Sequence, residues 1–224
     1  MNEVQEKSAV SLTSQVYARL RTEILTGVLK PGQKLRIDEL REQHNVSASA
    51  VREALSLLKA DFLVDRVDQR GFYVAPVSRS NFEELLNTRC WLEERALRES
   101  IQHGGKAWEE AIVLAAYRAS HTPRSDAFDR LVENDVWETH HKAFHQALLA
   151  ACGSQLLIRF CDQMYDLNIR YRRLARGRPA GSRNIDVEHN AIMEATLARE
   201  ADRAVGLLLE HYRRTGAGLT ETLP

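Results

Sequence analysis

Ser47-Ala48-Ser49-Ala50-Val51-Arg52-Glu53-Ala54-Leu55-Ser56-Leu57-Leu58 is the stretch on which the fold of this chain turns. Val51, Ala54, Leu55 and Leu58 recur at i, i+3, i+4 and i+7, the spacing of an amphipathic helix, and Ser47 stands where an N-cap belongs. The other face carries Ser49, Ala50, Arg52 and Glu53. Just upstream, Ile37, Leu40 and Val46 bracket a shorter helix that ends near His44-Asn45, and Asn tolerates the left-handed backbone of a sharp turn. Before that, Val16, Leu20, Ile24 and Leu25 follow Ser14 at helical spacing until Leu29-Lys30-Pro31-Gly32 breaks the pattern. After it, Phe62-Leu63-Val64 and Phe72-Tyr73-Val74 are β-prone runs whose polar spacer ends in Gly71, which predicts a hairpin. The order is helix, helix, turn, helix, hairpin.

Ala75 to Ser80 reads as a short connector, and Ser80 with Glu83 has capping-box spacing for the next helix. From there every segment has helical periodicity: about 81–102, 106–120, 125–151, 154–176, 185–199 and 202–216. The breaks fall at Gly104-Gly105, Thr122-Pro123, Gly153 and Gly177 to Gly181. The expected fold is mainly α: an N-terminal winged helix-turn-helix of three helices plus a β-hairpin, joined to an all-α helical bundle. The expected boundaries are a flexible N-terminus at 1–13, the winged unit at 14–77, a linker at 78–81, an all-helical domain at 82–216, to which the family resemblance described below gives effector binding and dimerisation, and a flexible tail at 217–224. A chain of 224 residues is long enough for two such cores.

Lys plus Arg equals Asp plus Glu at 31 each, so overall charge points to no polyanionic partner. Residues 1–77 hold eleven basic side chains against ten acidic ones, weaker than the usual basic footprint of a DNA-binding domain. Cys90, Cys152 and Cys161 are odd in number and widely spaced, which fits buried free thiols in a reducing cytoplasm. Met1 to Ser11 lacks the apolar run of a signal peptide, and no apolar stretch approaches membrane-spanning length. A cytoplasmic protein with no membrane association is expected.

In a helix-turn-helix the second helix enters the major groove with its N-terminal residues facing base edges. Ser47, Ser49, Ala50 and Arg52 would occupy that end, with hydroxyls and helix N–H groups suited to phosphate and a guanidinium suited to guanine. The hairpin tip Asp68-Gln69-Arg70-Gly71 would carry Gln69 or Arg70 toward a minor groove. The competing readings are a protein-interaction module without nucleic acid and, for Arg52, a pair within its own helix beside Glu53.

Leu29-x-Pro31-Gly32-x-x-Leu35, Asp38-Glu39-Leu40, Val46-Ser47-x-x-x-Val51-Arg52-Glu53-Ala54-Leu55 and Gly71-Phe72-x-Val74 resemble the DNA-binding domain of GntR-type regulators. Arg89-x-x-x-Glu93, Phe144-His145-x-x-Leu148, Glu188-His189-x-x-Ile192 and His211 resemble the helical effector (FCD) domain of the fatty-acid-responsive subfamily, with Phe144 to Gly153 and Tyr165 to Leu174 nearest the carbon-starvation-type repressors. The resemblance implies a homodimer on a palindromic double-stranded DNA operator, acting as a repressor and governed by a small carboxylate effector. Ala48 departs from the Arg that many relatives carry, which shifts readout toward Arg36, Ser49, Arg52 and Arg70.

His141 and His145 lie four residues apart, so one helix face presents both imidazoles, and antiparallel packing of the last two helices could bring His189 and His211 to them. Borderline-soft imidazoles suit zinc or nickel. The resemblance implies a divalent metal at these four positions, the first of which is usually Asp in the subfamily, so that His141 preserves ligation. It also implies that Arg89 faces the pocket as a carboxylate ligand, whereas spacing alone allows a pair with Glu93 at i+4; Arg172 is a second candidate anion contact. A metal-responsive regulator and a metal-dependent hydrolase are the alternatives, but Lys142 stands where zinc proteases place a general-base Glu, which argues against an enzyme.

Overall fold

The structure, a computed structural model, describes residues 11–125, 134–174, 184–220 and 223. It divides into two compact units, one up to Val77 and the other from Ser78.

In the first unit, Ser11 caps α1 (Leu12–Leu25) by accepting from the Ser14 N–H. A two-residue strand β1 (Lys34–Leu35) precedes α2 (Ile37–His44), which ends at Asn45 in the left-handed conformation, φ 51° and ψ 51°. Ser47 then accepts from the Ala50 N–H to start α3 (Ala48–Ala60). Strands β2 (Val64–Val67) and β3 (Gly71–Val74) follow, and the antiparallel sheet has the order β1-β3-β2. Val16, Leu20 and Ile24 of α1 and Val51, Leu55 and Leu58 of α3 are buried, as are Leu63, Val64 and Val74. The wing therefore has three strands: β1 adds to the predicted hairpin. The hairpin is also offset, since β2 begins at Val64 and Phe62 is an exposed turn residue with φ 59°.

The second unit is entirely helical among its described residues: α4 (Arg79–His103), α5 (Lys106–Ser120), α6 (Asp135–Leu149), α7 (Gln155–Leu174), α8 (Ile185–Leu197) and α9 (Ala201–Thr220). Helix α4 packs against α6, α7 and α9, α5 against α6 and α8, and α8 against α9. Leu97, Ile112, Phe144, Leu148, Ile192 and Leu208 form the centre of the apolar core. Burying such side chains is worth about 1.5–3 kcal/mol each, which is what holds six helices in one register. All three cysteines are free and buried.

Several expected boundaries move. Ser78, rather than Ser80, caps α4 through the Asn81 N–H, and Glu83 pairs with Arg79 instead of closing a capping box. Residues 79–81, expected as linker, are the first turn of that helix. Leu12 and Thr13 belong to α1, and α9 continues through 217–220, so neither stretch is a loose terminus. Helix α6 runs from Asp135, where the Asn134 side chain accepts from the Val136 N–H and caps it; residues 126–133 of the helix expected at 125–151 lie outside the described residues. The expected break at Gly177 to Gly181 and the ends of the chain at 1–10 and 221–222 lie outside the described residues.

Candidate functional site

In the first unit the start of α3 is open to solvent. Ser47 and Ser49 are exposed with their hydroxyls 2.9 Å apart, and Arg52 is exposed one turn on. Arg52 does not pair with Glu53, which instead accepts from the Thr13 hydroxyl at 3.0 Å. Ala50 is a correction: it is buried, because the apolar face of α3 is wide enough to take in 50 as well as 51, 54, 55 and 58. Its backbone N–H, engaged by Ser47, is the group that defines the helix start. Arg36 is exposed and ion-paired with Glu39 at 2.8 Å. Gln69, Arg70 and Gly71 lie exposed at the wing tip, Gln69 in the left-handed region at φ 59°.

In the second unit the four predicted histidines converge. His141 and His145 come from α6, His189 from α8 and His211 from α9; all four are buried, and their ligand atoms lie within 4.8 Å of one another. Ring centroids are 4.7 Å apart for His141 and His145 and 4.8 Å for His189 and His211. Burial pushes the imidazoles of His141 and His145 well below the usual histidine range, helped for His141 by the Arg172 guanidinium and for both by the neighbouring histidines. They are therefore neutral at pH 7, the form in which an imidazole can hold a metal.

Hydrogen bonding places their protons. Tyr165 Oη is 2.6 Å from His141 Nδ1 and donates to Glu138 Oε1 at 2.8 Å. Tyr212 Oη is 3.0 Å from His145 Nδ1 and donates to Glu93 Oε2. His211 Nδ1 is 2.8 Å from Glu188 Oε2. A carboxylate only accepts and a phenol has one proton, so each tyrosine gives its proton to its glutamate and all three Nδ1 atoms carry hydrogen. Burial raises both phenols well above the usual tyrosine range, with Glu138 adding to the effect at Tyr165 and Glu93 at Tyr212, so they remain donors. The Nε2 atoms of His141 and His145 lie 3.3 Å apart, and on this assignment of protons both are acceptors.

A small, partly open polar pocket lies against this cluster, lined by His141, His145 and His211 and, among others, by Arg89, Arg124, Trp137, Asn168 and Arg172. Arg89 pairs with Glu93, Nε to Oε1 at 2.6 Å, and its guanidinium carbon sits 3.9 Å from the Tyr212 ring centroid. Burial opposes its charge, but Glu93 more than offsets this and keeps the guanidinium protonated. Its buried Nη2 has no hydrogen-bond partner. The intrahelical pair and the pocket-facing role predicted as alternatives thus coexist in one side chain. Arg172 pairs with Glu138. For Tyr212 and Asn168 the only local signal is a polar side chain on a helix stripe that is otherwise buried, as at Cys161, Tyr165, Asn168 and Arg172 on α7; Arg124 lies between α5 and α6 and carries no such signal.

A winged helix-turn-helix and a helical domain enclosing a polar pocket, in one chain, define a DNA-binding transcription regulator with a separate effector domain. Residues 12–74 match the family described as bacterial regulatory proteins, gntR family, and residues 84–214 match the FCD domain. The chain is 39% identical over 201 residues to the uncharacterized HTH-type transcriptional regulator BphR of Paraburkholderia xenovorans (strain LB400), spanning 90% of this chain and 82% of that protein. It is 32% identical over 199 residues to the HTH-type transcriptional repressor GlaR of Escherichia coli (strain K12), spanning 87% and 90%. The solved structure of E. coli McbR/YncC shares the fold with a TM-score of 0.74 at 22% identity, over 95% of this chain and 99% of that one. The chain belongs to the GntR family of bacterial transcription regulators, in the group that carries an FCD domain; it is a regulator and not an enzyme. No helix among the described residues is long and apolar enough to cross a membrane.

Proposed function

We propose that this regulator binds a palindromic operator as a homodimer, most simply as a repressor, and that a small carboxylate held at a metal-containing pocket in the helical domain controls its hold on DNA. The observation that carries this reading is the pair of facing Nε2 atoms of His141 and His145 at 3.3 Å. Two acceptors with no proton between them repel unless an electrophile lies between them. Two nitrogens bound to one tetrahedral zinc at about 2.0–2.1 Å stand about 3.3–3.4 Å apart, so the donor set fits zinc, and imidazole equally suits nickel. His141, His145, His189 and His211 would hold the ion. A bound divalent ion supplies Lewis acidity toward an anionic ligand.

The carboxylate has a second anchor in Arg89, whose buried Nη2 is a charged donor at the pocket. Arg172 lines the same pocket, and its pair with Glu138 makes it a neighbour of the metal ligands rather than a lone anion receptor. On DNA, Ser47, Ser49 and Arg52 face the major groove, with the Ala50 N–H at the helix start, while Arg36, Gln69, Arg70 and Gly71 reach the flanking backbone or minor groove. Half-sites related by a two-fold axis must be engaged together, so ligand control needs only a small change in the spacing of the two reading heads. The test is a thermal-shift screen of small carboxylic acids, with and without chelator, followed by operator binding with each stabilising acid. A ligand that binds only the folded protein raises its melting temperature. The reading predicts acids whose effect vanishes with chelator and which alter operator affinity; stabilisation indifferent to chelator would sink the metal pocket.

A further inference from the structure

Three of the clustered imidazoles are bonded through Nδ1, but not in the same way. His211 reaches a carboxylate directly, whereas His141 and His145 each reach a tyrosine, then a glutamate, then an arginine. One chain runs His141, Tyr165, Glu138, Arg172. The other runs His145, Tyr212, Glu93, Arg89. They draw on different helices, α6 with α7 in the first and α6, α9 and α4 in the second, yet reach the same chemical order. Both end on an arginine that lines the pocket.

We propose that Tyr165 and Tyr212 are positioning residues that fix the tautomer and ring orientation of His141 and His145, so that both present an unprotonated Nε2 to one cation. The proposal rests on the metal-site reading above. A ligating imidazole is oriented by what its other nitrogen donates to, and such partners matter about 10–100-fold in metal affinity. Removing either hydroxyl strands a buried Nδ1–H, and the ring recovers a partner only by moving its proton to Nε2 or by turning, each of which withdraws the ligand atom. Interposing a phenol has a further effect. The carboxylate that holds each tyrosine is itself held by an arginine of the pocket, so an anion drawn to Arg89 Nη2 acts on the same guanidinium that anchors the His145 chain. Anion site and metal ligand then share one hydrogen-bonded path, and whatever one does to the other is reciprocal.

The experiment uses the full chain, stripped of metal by chelation and carrying 15N-histidine. Long-range proton–nitrogen correlation reads the tautomer of each ring, and competition with a chromophoric chelator reads Zn²⁺ affinity. Wild type should show Nδ1–H at His141 and His145. Tyr165→Phe should alter the tautomer of His141 alone and Tyr212→Phe that of His145 alone, each weakening Zn²⁺ binding about 10–100-fold while keeping the aromatic packing. Nε2–H in either wild-type ring overturns the proposal without any variant having to fold. Phe variants that keep the wild-type tautomers or the wild-type Zn²⁺ affinity overturn it as well. Failure of wild type to bind Zn²⁺ overturns the metal reading, and the tautomers alone then decide whether the tyrosines orient the rings.

Discussion

Arg89 Nε lies 2.6 Å from Glu93 Oε1, one turn along α4, with both side chains shut away from solvent. Such a pair adds little net stability, yet removing one partner strands a buried charge at a cost of about 3–5 kcal/mol. Glu93→Ala should therefore lower unfolding free energy by that amount in urea titration. The same substitution at Glu83, whose pair with Arg79 on the same helix is exposed, should cost under about 1 kcal/mol. Equal losses at the two positions would contradict the burial argument.

Gly104 follows α4 with an ordinary backbone, φ −64°, but has no room for a side chain. A Cβ there would sit 2.1 Å from Trp108 Cε3 and 2.6 Å from the Ser100 carbonyl oxygen. Trp108 cannot give way freely, since its indole N–H donates to the Ala147 carbonyl at 2.8 Å and ties α5 to α6. Gly104→Ala should cost about 1–3 kcal/mol or more by overpacking. Gly206→Ala, at an exposed position inside α9 with nothing within 4 Å of its Cβ position, is the control. Thermal melts of the two variants settle the comparison.

His145→Ala and His189→Ala each remove one of the four proposed metal ligands, on α6 and on α8, and leave the sequence of the winged unit unchanged. Both should abolish chelator-sensitive stabilisation by carboxylic acids while operator affinity without acid stays within about threefold of wild type, a change of under about 0.7 kcal/mol. Anisotropy titration of a labelled operator measures the second quantity and thermal shift the first. Variants that respond to acid as wild type does would remove the metal from the mechanism.

The recognition helix was legible because Val51, Ala54, Leu55 and Leu58 repeat at helical period and Ser47 can cap them; both signals are local. Ala50 was misplaced because a small side chain carries little information about which face it joins. Strand β1 went unread because Lys34-Leu35 is too short to show a period, and its pairing with Phe72 and Tyr73 is supplied from elsewhere in the chain. The histidine pair at i and i+4 was readable from α6 alone. The hydrogen bonds that fix its protons were not, since Tyr212 is 67 residues from His145 and 119 from Glu93. Only packing of α4, α6 and α9 brings those groups together.

Tyr17 of α1 donates its hydroxyl to Asp61 at the end of α3. Burial, and then Asp61, push its phenol from the usual 10 up to about 12. The folded state thus holds this proton more tightly than the unfolded chain. Its contribution to stability is complete below pH about 10 and disappears as pH rises through about 12. The stability difference between wild type and Tyr17→Phe should be flat below pH 10 and shrink between 10 and 12, as read from denaturant midpoints. A difference that grows with pH would reverse the sign and rule out the bond to Asp61 as its source.

The DNA contacts proposed for Arg52 and Arg70 differ in kind. Arg52 sits one turn into α3 with its side chain exposed, where a guanidinium can face a base edge; Arg70 sits at the wing tip beside the φ 59° turn at Gln69. A base contact discriminates among sequences, whereas a backbone contact lowers affinity for every sequence and flattens its salt dependence. Arg52→Ala should cost about 1–3 kcal/mol on the operator and narrow the gap to random duplex. Arg70→Ala should weaken both duplexes alike and reduce the slope of log affinity against log salt by about one. With eleven basic side chains nearly balanced by ten acidic ones in residues 1–77, losing one cation removes that small surplus, which makes the comparison sensitive. If Arg52→Ala left the operator-to-random ratio unchanged, the start of α3 would be a phosphate clamp and sequence readout would fall to the wing.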